Sequence, residues 1–85
     1  MSVEEKEVCI KYFAFLKELK GTDQESIKLE EGDTGRSVFY RLFESQAGQI
    51  NLERLRLAVN ETFVGMDTEL SHGDEVVFIP PVAGG

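Results

Sequence analysis

The chain lacks tryptophan and has only one cysteine, one histidine and two prolines among its 85 residues. A single cysteine, Cys9, excludes an internal disulfide and argues against a small secreted fold that depends on such bonds. Cys9 and His72 cannot form a zinc site without several supporting carboxylates. No apolar run approaches the roughly 20 residues of a membrane-spanning helix, and the first residues lack the basic-then-apolar order of a signal peptide. We therefore expect a cytoplasmic protein with no bound metal and no membrane partner.

Basic residues are also scarce, since the sequence has 9 lysines and arginines but 16 aspartates and glutamates, which gives a formal net charge of −7. This charge disfavours nucleic acid as a partner, because a phosphate backbone would repel it. The charge favours a basic protein surface as the partner, unless it serves only solubility. The sequence contains neither GxxxxGK[ST] nor GxGxxG, so no nucleotide-binding motif is present.

The hydrophobic pattern predicts a single α+β domain, because 85 residues leave no room for a second one. Period-two alternation and short apolar runs predict strands over residues 8–13, 26–29, 57–59, 62–64 and 75–79. Helix formers predict a short helix over 14–20, ended by Gly21, and a principal helix over 34–45 with Thr34 as its N-cap. The uninterrupted apolar run 76–79 favours a central strand in a mixed sheet that packs on the principal helix. Glu30, Glu31 and Asp33 are interpreted as a solvated turn, and 47–54 as a connection.

The C-terminus divides the chain into a body over residues 1–79 and an extended tail over 80–85. Two prolines pre-set an extended backbone, and the side chains then shrink stepwise to two glycines. The tail consists of Pro80, Pro81, Val82, Ala83, Gly84 and Gly85. With glycine at about 7% of average usage, a terminal Gly-Gly arises by chance in only about 0.5% of chains. The pattern therefore indicates a functional tail that can thread a narrow channel and present the Gly85 carboxylate.

A terminal carboxylate becomes reactive only after activation. A separate protein could use ATP to convert the Gly85 carboxylate into an acyl-adenylate. Sulfide or a persulfide would then displace AMP and leave a thiocarboxylate, or a partner cysteine would capture the acyl group as a thioester. Since the chain has no ATP-handling motif of its own, we expect the activating enzyme to be another protein.

Four segments together resemble the family of small subunits of molybdopterin synthase. They are residues 11–19 (KYFAFLKEL), 58–60 (AVN), 73–76 (GDEV) and 79–85 (IPPVAGG), and they follow the family's order over nearly the whole chain. The ending PPV-x-GG is the most specific of the four. Ala83 departs from the pattern, since the family often has serine or threonine there, and no hydroxyl contact is expected at this position.

The resemblance implies a ubiquitin-like β-grasp fold and a sulfur-carrier function. It implies that an E1-like enzyme adenylates Gly85, that a sulfur donor protein supplies the sulfur, and that the tail enters a large subunit. There the sulfur would pass to cyclic pyranopterin monophosphate to form the dithiolene of molybdopterin, within a heterotetramer of two small and two large subunits. Catalysis would then belong to the large subunit, and this chain would be a sulfur-donating subunit that binds no cofactor.

Strand alternation also predicts a docking surface. If Val8, Ile10 and Tyr12 face the helix with Val76 and Phe78, then Phe13, Val77 and Ile79 face the opposite side. The same reasoning places Val59 and Val64 inward and Phe63 outward. An exposed apolar patch of this kind marks an interaction site. Phe13, Phe63 and Ile79 match positions at which the resembled family contacts its partner.

Three other functions remain open at this point. A sulfur carrier for thiamine synthesis or tRNA thiolation would use the same tail chemistry. A ubiquitin-like protein modifier would instead join Gly85 to lysines of other proteins. The last alternative is a β-grasp binding module whose tail has no chemical role.

Overall fold

The computed structural model describes residues 5–46, 48 and 50–80. Its elements, in chain order, are β1 (Lys6–Tyr12), α1 (Phe15–Lys20), β2 (Gln24–Leu29), α2 (Gly35–Leu42), a short 3-10 helix (Leu52–Arg54), β3 (Arg56–Val59), β4 (Thr62–Val64) and β5 (Glu75–Ile79). The 3-10 helix lies within the segment that the sequence analysis interprets as a plain connection.

The strands form one mixed sheet in the order β2-β1-β5-β3-β4. The β1–β5 pair is parallel, whereas β1–β2, β3–β4 and β3–β5 are antiparallel. The apolar run of β5 therefore occupies the centre of the sheet, as predicted. The α+β class and the mixed sheet packed on a principal helix are both confirmed.

The core lies between α2 and one face of the sheet, which we call the inner face. Its side chains on the strands include Ile10, Tyr12, Leu57 and Phe78, all almost fully buried. Aromatic rings connect the two layers: the ring centroids of Phe39 and Phe78 lie 5.1 Å apart. Edge-to-face contacts of this kind add about 0.5–1.5 kcal/mol to the burial of apolar area. These contacts fix which face of the sheet the helix covers.

Helix α2 begins as predicted and ends earlier than predicted. Thr34 is its N-cap, with its side chain accepting from the Ser37 N–H at 3.1 Å while Ser37 Oγ accepts from the Thr34 N–H at 2.9 Å. This reciprocal pair is a capping box with serine in the third helical position. The helix stops at Leu42 and not at residue 45, because the Phe43 backbone already leaves the helical region (φ −119°, ψ 38°). Phe43 is fully buried there.

The interpretation of Asp33 as part of a solvated turn is wrong. Asp33 is only 6% exposed, and both of its carboxylate oxygens lie 2.6 Å from Arg41 Nη2. The Asp33 carboxylate also accepts hydrogen bonds from Ser37 Oγ at 2.7 Å and from the Glu30 N–H at 2.8 Å. Burial alone raises the pKa of this carboxyl, but the hydrogen bonds from Arg41, the Glu30 N–H and Ser37 outweigh burial and hold the pKa below its ordinary value. Asp33 thus connects the turn after β2 to helix α2.

Replacing Asp33 with asparagine should lower the free energy of unfolding by about 1–3 kcal/mol at neutral pH, because Arg41 loses its buried counterion. The pKa of Asp33 is lower in the folded state than in the unfolded state. The stability that depends on this charge is therefore fully present above the unfolded-state pKa of about 3.9. It is lost as the pH falls below that value toward the folded-state pKa. Urea unfolding of the wild-type protein and the variant between about pH 7 and about pH 3 measures the difference in their free energies of unfolding. This difference should decrease as the pH falls.

Asp67→Asn is the matched control. Asp67 also accepts from an arginine, with Arg36 Nε at 2.8 Å, but its side chain is 77% exposed. Water screens an exposed pair, so the control should lose much less stability than Asp33→Asn. Equal losses in the two variants would contradict the role of burial at Asp33.

Candidate functional site

A row of side chains crosses the outer face of the sheet, opposite the core. The strand register places Lys11 beside Val77, Val77 beside Ala58, and Ala58 beside Phe63. Because side chains at laterally paired positions project from the same face of a sheet, these four residues form one continuous row. Ile79 projects from this face too, since it lies two residues beyond Val77 on β5.

Apolar side chains on this face lie along the second half of β5 and beside it, and the exposed Phe13 directly follows β1. Phe13 is 52% exposed and Phe63 is 68% exposed, whereas Val77 and Ile79 are partly buried. We call these four residues the outer patch. Ala58 is buried but does not belong to the core cluster, because it lies between Val77 and Phe63 as the floor of the patch. Large aromatic side chains exposed on a small domain indicate an interaction surface.

Charged side chains lie next to the outer patch. Lys11 Nζ lies 3.2 Å from Glu75 Oε2, so this cation and its partner border the patch along β1 and β5. Arg56 pairs with Ile79 in the strand register and is exposed. Polar groups around an apolar centre are typical of protein interfaces.

A polar tie holds the β3–β4 hairpin against the start of β5. Asn60 and Glu61 form a two-residue turn with positive φ angles of 51° and 70°, which suits the twist of an antiparallel hairpin. The Asn60 N–H donates to the Glu75 carbonyl, and its amide oxygen accepts from the Glu75 N–H, both at 2.9 Å. Asn60 Nδ2 donates to Asp74 Oδ1 at 2.9 Å. The sequence segments AVN and GDEV therefore meet in space and fix the position of Phe63 relative to β5.

A second tie holds the end of β1, immediately before Phe13. The buried Tyr12 hydroxyl donates to Glu25 Oε2 at 2.6 Å, and Lys20 Nζ lies 3.7 Å from the same oxygen. Lys20 also donates to the Leu42 carbonyl at the end of α2 at 3.1 Å. Burial and the hydrogen bond to Glu25 raise the pKa of the Tyr12 hydroxyl well above its usual range. This network keeps the strand end that carries Phe13 in place.

The tail root follows β5 directly. Pro80, which the sequence analysis assigns to the tail, is buried. The other predicted tail residues lie outside the described residues, namely Pro81, Val82, Ala83, Gly84 and Gly85. What the structure describes of this site is therefore the outer patch and the strand that leads into the tail.

The described residues contain no group of three or more His, Cys, Asp or Glu side chains that could hold a metal ion. Cys9 is partly buried, and His72 Nδ1 accepts from the Glu7 N–H at 3.0 Å. Within the same residues, no helix is long and apolar enough to cross a membrane.

Two of the three predicted contact residues lie on the predicted face of the sheet, and exposed neighbours of theirs were not predicted. Phe63 and Ile79 share the outer face as the alternation predicts, and Phe13 is exposed directly after the end of β1. Arg56 was missed, although the alternation of β3 puts it on the same face as Ala58. Phe15 and Leu19, also exposed, were missed because a six-residue helix gives too few turns for its faces to be read from sequence.

Comparison with known proteins gives the family. A model described as the ThiS family matches residues 10–85. A relative from Escherichia coli, named molybdopterin synthase sulfur carrier subunit, is 37% identical over 76 residues, which span 87% of this chain and 94% of the relative.

Solved structures agree on the fold. A Pyrococcus furiosus protein described as subunit 1 of molybdopterin converting factor is similar with a TM-score of 0.73 and 32% identity, over 91% of this chain and 99% of that one. The small archaeal modifier protein SAMP1 from Haloferax volcanii has the same TM-score at 19% identity, over 93% and 99%. A chain in a Helicobacter pylori complex of subunits 1 and 2 of molybdopterin-converting factor is similar with a TM-score of 0.57 and 23% identity. The match covers 93% of this chain and 99% of that one. The last two identities are low enough to support the fold alone.

Truncating an outer-patch aromatic should scarcely change stability. We expect Phe63→Ala to change the free energy of unfolding by less than about 1 kcal/mol, because Phe63 is mostly exposed. Phe78→Ala, on the inner face of β5, should cost about 3–5 kcal/mol because Phe78 is fully buried. Urea unfolding of the two variants measures the difference. A large loss in Phe63→Ala would mean that Phe63 belongs to the core and that the outer patch is not a free surface.

Proposed function

Because the chain belongs to the ThiS family, we propose that it is the sulfur carrier subunit of a molybdopterin synthase. The observation that carries this proposal is the 37% identity to a protein of that name along 94% of its length. The Gly-Gly terminus and the outer patch next to the tail root supply the two features that such a carrier needs. One is a group that can be charged with sulfur, and the other is a surface by which partners hold the body.

The reactive group in this proposal is the Gly85 carboxylate. An E1-like enzyme joins one carboxylate oxygen to the α-phosphorus of ATP, and pyrophosphate leaves. Sulfide supplied by a sulfur donor protein attacks the carbonyl carbon, the bond to the AMP oxygen breaks, and a thiocarboxylate remains. If the donor sulfur arrives as a persulfide, a second thiol must reduce the acyl disulfide to release it. ATP is thus a substrate of the partner, and this chain binds no cofactor of its own.

The charged carrier then donates its sulfur in the active site of the large subunit. The thiocarboxylate sulfur attacks a carbon of cyclic pyranopterin monophosphate, and a carbon–oxygen bond at that carbon breaks, with the oxygen leaving on phosphate or as water. Water then hydrolyses the resulting thioester, which regenerates the Gly85 carboxylate and leaves the sulfur on the substrate as a thiol. A dithiolene contains two sulfur atoms, so each product consumes two charged carriers. This stoichiometry fits a heterotetramer with two small subunits. Gly84, Ala83 and Val82 have side chains small enough for a narrow channel, and glycine allows catalytic groups of the partner to approach the backbone closely.

The outer patch is the surface by which we expect the large subunit to hold the carrier, through Phe13, Phe63 and Ile79. The name of the Escherichia coli relative, a subunit of molybdopterin synthase, supports a partner of this kind. Because the activation consumes ATP, we expect the protein to work in the cytoplasm. The modifier and the thiolation carriers share the fold and the tail, and the experiments below separate them from the synthase subunit.

Incubation with the cognate activating enzyme, ATP and a sulfur source should exchange one oxygen of Gly85 for sulfur. Intact-mass measurement followed by analysis of the C-terminal peptide detects and locates the change. A variant that carries one added alanine after Gly85 should show no exchange and the same Tm, because only the terminal carboxylate is activated. Isopeptide adducts on other proteins would instead indicate a modifier. An unchanged mass of the wild-type chain would contradict both functions.

Phe63→Ala should weaken binding to the large subunit by about tenfold or more, since buried aromatic anchors dominate interface affinity. The control is Tyr40→Ala, which removes a 46% exposed aromatic from α2, on the layer opposite the outer face. It should leave the dissociation constant within about twofold. Titration calorimetry with the purified large subunit measures both. Equal weakening in the two variants would contradict docking through the outer patch.

A further inference from the structure

A shallow groove runs along the outside of the β3–β4 hairpin. Its volume is about 340 Å3, and its lining includes Arg56, Phe63, Gly65 and Met66. Phe63 also belongs to the outer patch, so the groove is continuous with that surface. An arginine, an aromatic ring and a methionine are residue types enriched where proteins meet.

Gly65 keeps part of this groove open. A Cβ atom built at Gly65 would meet no other atom within 4 Å, and the Gly65 backbone does not have a positive φ angle. A larger residue could therefore occupy the space without backbone strain. This position offers a way to fill the groove while leaving the fold intact.

Arg56 differs from most basic residues of the chain in its pairing. Five of the nine lysines and arginines form ion pairs with carboxylates, namely Lys11, Lys20, Lys28, Arg36 and Arg41. Within the part of the chain that the structure describes, Arg56 forms none. Acidic residues are abundant, at 16 in the sequence. The Arg56 guanidinium can therefore bind a carboxylate of a partner at the edge of the groove, although the protein has a net charge of −7.

The strength of an ion pair with Arg56 depends on whether water surrounds it. In open solvent, an ion pair with Arg56 would contribute at most about 1 kcal/mol. When a partner covers the groove and excludes water, a carboxylate held by the planar guanidinium fork becomes a much stronger and more directional contact. A cation at one fixed place on the edge of the groove also favours one orientation of a partner segment over the others.

We propose that this groove binds a carboxylate-bearing segment of the large subunit, with Arg56 holding the carboxylate and Phe63 and Met66 contacting an apolar neighbour. The inference rests on the proposed function and names a specificity contact within the same complex. Charge complementarity selects an acidic segment, and continuity with the outer patch selects the large subunit as its source. Arg56 thus determines the orientation of the complex, and the Gly85 tail determines its chemistry.

The test uses the full-length chain and the purified large subunit of the same organism. Arg56→Gln should weaken the complex about tenfold at low salt and reduce the salt dependence of the dissociation constant, because one interfacial ion pair is lost. Gly65→Leu should weaken binding by a similar factor by filling the groove, with no loss of Tm. Arg56→Lys should recover only part of the affinity, since an ammonium lacks the planar fork.

Arg54→Gln is the matched control. Arg54 is also exposed and lies two residues away, it forms no ion pair within the described residues, and the substitution removes the same unit of charge. It does not line the groove, so the affinity should change by less than about threefold. Equal effects of the two arginine variants, or wild-type affinity of Arg56→Gln or Gly65→Leu, would overturn the inference and leave the proposed function standing. A wild-type chain that fails to bind the large subunit would overturn both.

Discussion

The central position of β5 is the constraint on which the rest of the structure depends. This strand pairs with β1 on one side and with β3 on the other, so its backbone groups are satisfied along both edges. Its side chains must then divide between the two faces of the sheet. Val76 and Phe78 enter the core, whereas Val77 and Ile79 form part of the outer patch. A shift of one residue in register would exchange the two sets and destroy both surfaces.

The same strand also connects the docking surface to the tail. Ile79 belongs to the outer patch, and the next residue, Pro80, is the first of the predicted tail. A partner that grips the patch therefore holds a point only a few residues from Gly85. Six residues span at most roughly 20 Å, which limits how far the reactive carboxylate can lie from the docking surface. In the proposed function, the body of the protein holds the docking surface at a limited distance from the Gly85 carboxylate.

Long-range polar ties keep the short elements at fixed positions around β5. Asn60 joins the hairpin to Asp74 and Glu75, and Asp33 joins the turn after β2 to Arg41 of α2. In a chain of 85 residues the apolar core is small. The charge-assisted hydrogen bonds of the buried Asp33 then contribute to fixing a single arrangement, and the exposed bonds of Asn60 add to it. The outer patch can remain apolar because backbone pairing, the core on the inner face and these ties hold its strands in register without it.

The sequence alone determined the five strands and two helices, the fold class, the central place of β5 and the outward direction of Phe63. It could do so because strand alternation, glycine and proline positions and helix caps act over a few neighbouring residues. Only the tertiary structure decided that Asp33 is buried, that α2 stops at Leu42, and that Arg56 lies beside Ile79 at the lip of a groove. Each of these depends on residues far apart in the chain. Whether a charge is buried or paired is set by what the fold brings against it, and local sequence patterns do not contain that information.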